Sequence, residues 1–138
     1  MSTLRTNALE GMDAKNSITI VAGAGNITTT NVQEGLCKAW MNFDGQSTAT
    51  VQNSFNHSSI EDQGTGQYRF TVTSAFGNVN SVFTCTTGNR STTNAGIDRN
   101  SQMGTDDTTR FHYELHDISG GGNADAVVGH AVVHGDLA

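Results

Sequence analysis

The chain has 138 residues and a formal net charge of -6, enough for one domain with a real core but with too few cations for a nucleic-acid partner. It has no proline, is rich in Gly, Ser, Thr and Asn, and is sparse in Leu, Lys and Glu, which favours short strands over a helical bundle. No stretch reaches the roughly 20 apolar residues of a membrane span, and the N-terminus lacks a charged region followed by an apolar core, so no signal peptide is expected.

Residues 1 to 16 are polar and weakly patterned. Ser17 to Val21 is a short strand candidate, followed by the glycine-rich Ala22-Gly23-Ala24-Gly25. Thr30 to Glu34 has the spacing of a capping box, and Gly35 follows as a stop, so any helix there is a single turn. Residues 1–35 therefore read as an arm that buries little of itself, either packing on neighbours or forming a disordered leader.

Residues 36–138 read as the folded domain. Lys38 to Phe43 is a strand ending at Asp44-Gly45, a tight-turn dipeptide. Trp40, the lone tryptophan, lies on the face opposite to Met41 and Phe43. Thr48 to Val51 leads through polar residues to Phe55. Gln67 to Val72 alternates strictly, so Tyr68, Phe70 and Val72 share one face. Val79, Ser81, Phe83 and Cys85 alternate likewise. Thr87 to Thr109 has only Ala95, Ile97 and Met103 as apolar residues and reads as a long loop, the kind of segment that is usually functional or mobile. Phe111, Tyr113 and Leu115 face inward on the clearest late strand. Ala126 to His134 is an apolar strand that could be buried on both faces.

About seven or eight short strands with turn signals between them imply an all-β, antiparallel β-sandwich of roughly 100 residues. Its expected core is Trp40, Phe43 or Met41, Tyr68, Phe70, Phe83, Phe111, Tyr113 and Leu115.

Chemistry-bearing patterns are few. His112, Glu114 and His116 project from one strand face, a spacing that can supply metal ligands; the bland alternative is a solvated polar face. His130 and His134 share a face of the last strand. Asp98, Asn100, Asp106 and Asp107 follow no calcium-loop pattern. No serine sits in a nucleophile elbow, and Gly120-Gly121-Gly122 is followed by no Lys-Ser or Lys-Thr. Cys37 and Cys85 are two buried free thiols or a disulfide, and their wide spacing gives no zinc motif. The expectation is no enzyme, no catalytic residue, no metal and no cofactor.

The stretches Gly35 to Gly45 and Ser54 to Tyr68, the opening Met1 to Asn7 and the closing Ala131 to Ala138 resemble a tail-fibre-like protein family of marine and cyanobacterial bacteriophages. The resemblance implies a trimeric virion structural protein on the tail or capsid exterior. One form is a tail-fibre or receptor-binding component, in which the polar Thr87 to Thr109 loop would touch a host glycan or protein. The alternative is a capsid decoration or head-fibre protein, which the small size and short arm suit; the tail form is the expected one because the resemblance is usually met there. In either form residues 1–35 are expected to anchor to other virion proteins: Ser17 to Val21 can add a strand to an open sheet edge.

Overall fold

A computed structural model of the protein describes residues 19–21, 29–31, 35–88, 99–118 and 120–138. The chain divides into two compact units, Met1–Leu36 and Cys37–Ala138. In the first, β1 (Thr19–Val21) and β2 (Thr29–Asn31) form an antiparallel pair with Ile20 opposite Thr30. Thr30 and Asn31, at the start of the expected helical turn, are strand residues paired with β1, and residues 32–34 lie outside the described part.

Among the described residues of the second unit are eight strands: β3 (Ala39–Asp44), β4 (Thr50–Phe55), β5 (Ser59–Gly64), β6 (Gln67–Thr71), β7 (Val82–Gly88), β8 (Arg99–Thr105), β9 (Arg110–Asp117) and β10 (Val128–His134). They form two four-stranded sheets, ordered β4-β3-β10-β7 and β5-β6-β9-β8, with every neighbouring pair antiparallel. The chain is all-β in these elements, and the two sheets pack their apolar faces together as a sandwich.

The inner layer is aromatic. Phe43 from the first sheet lies edge-on to Tyr68 and Tyr113 of the second, with ring centroids 5.0 and 5.2 Å apart. Phe111 takes Phe76 and Phe83 edge-on at 5.2 and 5.6 Å. Such edge-to-face pairs add to plain area burial. Gly129 sits opposite Phe43 in the β3–β10 register, and a Cβ there would overlap the Phe43 ring. The missing side chain is what lets the ring reach the second sheet.

Tyr68 is 1 % exposed, yet its hydroxyl is fully engaged. It donates to the Gly45 carbonyl at 3.1 Å and accepts from the Ala126 amide at 3.1 Å, with Asp125 Oδ1 3.3 Å away. Tyr113 donates to the Thr86 carbonyl at 3.0 Å, tying the second sheet to the first. At the crossover from β4 to β5, Asn56 adopts φ 53° and its amide binds the Lys38 and Ser74 carbonyls and the Ser74 amide at 2.7–3.1 Å. Asparagine is one of the few residues that occupies this left-handed conformation readily.

Met41, Phe43, Tyr68, Phe70, Phe111, Tyr113 and Leu115 are buried as expected, and Phe83 packs half-buried against them. Trp40 is not in this core. It is half-buried on the outer face of the first sheet, because Met41 and Phe43 take the inward positions of β3. Ala126 to His134 is not buried on both faces either. Ala131 and Val133 point in, whereas His130 is exposed and Val132 half-buried, since β10 is central in its sheet but has the second sheet on one side only. Val79 lies 53 % exposed ahead of β7 instead of starting it.

The expected Thr87 to Thr109 loop is also corrected. Thr87 and Gly88 end β7, and Arg99–Thr105 is the edge strand β8, paired with β9. Residues 89–98, between them, lie outside the described part.

Candidate functional site

The second sheet turns a polar face outward. Along β9, the inward positions Phe111, Tyr113 and Leu115 alternate with the outward His112, Glu114 and His116. β6 places Arg69 opposite His112 and Gln67 opposite Glu114. β8 places Gly104 opposite His112, and Gln102 opposite Glu114. β5 adds Glu61, opposite Arg69.

These side chains form two linked clusters. In the first, Asp106 at the β8–β9 turn accepts from Arg69 Nε at 2.7 Å through one carboxylate oxygen and from His112 Nδ1 at 2.9 Å through the other. Arg69 also reaches the Gln63 side-chain Oε1 at 3.5 Å and lies 3.9 Å from Glu61. In the second, Glu114 accepts from Gln102 at 2.7 Å and Gln67 at 3.4 Å, with His116 Nε2 3.5 Å away. Between the clusters lies a depression of about 250 Å³ lined by Gln63, Gln67, Arg69, Asp106, His112 and Glu114, with Tyr68 and Tyr113 beneath.

Local structure fixes this arrangement. A Cβ on Gly104 would overlap the His112 imidazole, so the glycine is the slot in which the ring lies. The β8–β9 turn is tied by Asp107, whose carboxylate accepts from the Thr109 amide and hydroxyl, the Arg110 amide and the Arg110 guanidinium at 2.7–2.9 Å. Those bonds, Thr109 first, hold the Asp107 carboxyl well below the usual carboxylate range. Partial burial works to raise the Asp106 carboxyl, but the bonds from His112 and Arg69 outweigh it and leave the group below its ordinary value. Glu114 is lowered too, chiefly by Gln102.

The sequence placed His112, Glu114 and His116 on one face, and they do share it. They do not converge as a triad, because His112 turns to Asp106 while His116 stays near Glu114. Among the described residues no group of three or more His, Cys, Asp or Glu is placed to hold a metal ion. His130 lies on the other sheet, 2.9 Å from the Asn42 amide. Cys37 and Cys85 are free thiols, both half-buried rather than buried. Arg69 and Asp106 were not legible as partners, since they are 37 residues apart and meet only through the β6–β9 pairing.

The outer face of the first sheet is its chemical opposite. One register row reads Phe55, Trp40, Val132, Thr84 across the four strands; the next reads Asn53, Asn42, His130, Thr86. Val82 and His134 form a pair alongside. Phe55 is 52 % and Val82 69 % exposed. These two rows and the Val82–His134 pair contain no Asp, Glu, Lys or Arg, while Asp44 lies further along β3 on the same face.

No protein-family model matches the chain, and neither does a curated protein or a solved structure.

Proposed function

We propose that the protein is a bacteriophage virion structural protein, a homotrimeric tail-fibre or receptor-binding component that assembles through the first sheet's outer face and presents the second's. The observation that carries this reading is the contrast between the two faces. A chain of net charge -6 repels its own copies, and the Phe55-Trp40-Val132 row is where a second copy can approach with little opposed charge, Asp44 lying off to one end of the face. A row of exposed and half-buried aromatic and aliphatic side chains, rimmed by Asn and Thr, has the composition of an assembly surface.

The phage reading itself rests on the sequence resemblance. The arm is proposed to anchor the domain to other virion proteins, and the division of the chain near Leu36 is consistent with an anchor and a displayed domain that fold as separate units. The polar sheet suits contact with a host surface and offers no activated nucleophile, so the reading is of binding and not catalysis.

Immunogold labelling of the virion with antibody against residues 37–138 tests it. Label at the tail tip or fibres supports the proposal. Dense label over the head replaces it with capsid decoration. A virion without label overturns both.

A further inference from the structure

We infer that the depression on the β5-β6-β9-β8 sheet binds a neutral saccharide, one terminal sugar ring at a time. The inference deepens the host-attachment reading and rests on it for its biological setting only.

The size comes first. About 250 Å³ is below the roughly 300–1,000 Å³ of pockets that take drug-sized ligands, and it seats a single small ring. The chemistry of the lining comes second. Arg69, Gln63 and Gln67 offer N–H donors, and Asp106, Glu114 and the amide oxygens offer acceptors. A sugar hydroxyl is both donor and acceptor, and neighbouring hydroxyls engage such a mixed set where a purely cationic or purely apolar ligand engages half of it.

Charge then narrows the class. The lining holds two carboxylates, Asp106 and Glu114, against one guanidinium, Arg69, leaving the imidazole aside. An acidic sugar would meet net negative charge and find its natural partner, Arg69, already held by Asp106 at 2.7 Å. A neutral sugar pays neither cost.

Preorganisation is the fourth point. Arg69, His112 and Glu114 stand on paired strands and are each held by a cross-strand or turn hydrogen bond, so little side-chain freedom remains to be lost on binding. Gly104 lets the His112 ring lie down into β8 and keeps it from filling the depression.

The test is the full-length protein on a printed array of neutral, sialylated and sulfated glycans and neutral bacterial polysaccharides. Binding of a neutral member is then titrated against isotope-labelled protein by NMR. The expected result is binding to a neutral glycan, amide shifts centred on Arg69, His112 and Glu114, and an affinity about tenfold or more weaker in Glu114→Gln, the loss of one charge-assisted contact. Asn80→Ala, in the exposed segment before β7, should bind as the parent does. Binding to acidic glycans only, no binding at all, or shifts centred elsewhere overturns the inference. A neutral glycan bound at this site by a protein located on the capsid would keep the site and refute the tail reading, so the two fail separately.

Discussion

The imidazole of His112 occupies the space where Gly104 would carry a side chain, directly across the β8–β9 pair, and from there its Nδ1 reaches Asp106 at 2.9 Å. The missing Cβ and the hydrogen bond therefore form one device. Gly104→Ala should expel the ring and break its contact with Asp106, while the alanine recovers some backbone entropy that glycine loses in a strand. Net stability should change little. A double-mutant cycle with His112→Ala should expose the link as a coupling of about 0.5–1 kcal/mol, the scale of one cross-strand pair. Strictly additive effects in thermal unfolding would show that the glycine slot does not position the ring.

The chain has two tyrosines, and both are core residues whose hydroxyls are bonded. Burial pushes the Tyr113 phenol up to about 12 and raises Tyr68 further. Raised folded values mean that the contribution is complete below the unfolded value of about 10 and is lost as pH rises above it. On the alkaline side stability should hold up to about pH 10 and then fall, and tyrosinate absorbance should appear with unfolding instead of at pH 10. Tyr68→Phe leaves the Gly45 carbonyl and Ala126 amide without their partner and should cost about 1–3 kcal/mol. A native spectrum titrating near pH 10 would contradict this placement.

Acid should act in two stages. Burial lowers His57, whose Nε2 is buried without a hydrogen-bond partner. The unfolded chain then takes up this proton first, so stability begins to fall below about pH 6.5. Asp106, Asp107 and Glu114 are all held below their ordinary values. Their contribution is present above about pH 4 and disappears as pH falls through the folded values. Melting temperature against pH should show both steps, and His57→Phe should remove the first alone. A single step near pH 4 in the parent would refute the role of His57.

What the sequence revealed follows from where period-two alternation is backed by large side chains. β6 and β9 alternate with Tyr68, Phe70, Phe111, Tyr113 and Leu115 inward, and both were legible. The edge strands β5 and β8 were not. Each offers one substantial apolar residue to the core, Ile60 and Met103, and otherwise reads as turn-like polar sequence. Their strand character comes from the unpaired backbones of β6 and β9, which is a non-local cause. Phe76 is buried from a loop segment by its bridge to Leu137, a contact across the chain that no local pattern announces. The site was half legible for the same reason: the His112-Glu114-His116 face is local, whereas Arg69 and Asp106 arrive by pairing.

The central claim is that copies of this chain meet through the Phe55-Trp40-Val132 face. Phe55 and Val82, on the two edge strands of that sheet, are more than half exposed, so charging both should leave the sandwich intact. Sedimentation velocity of the purified chain beside Phe55→Glu/Val82→Glu is the direct measurement. The account predicts a trimer for the parent and a folded monomer, with unchanged strand circular dichroism, for the double variant. A parent that sediments as a monomer at high concentration, or a double variant that remains trimeric, would contradict it.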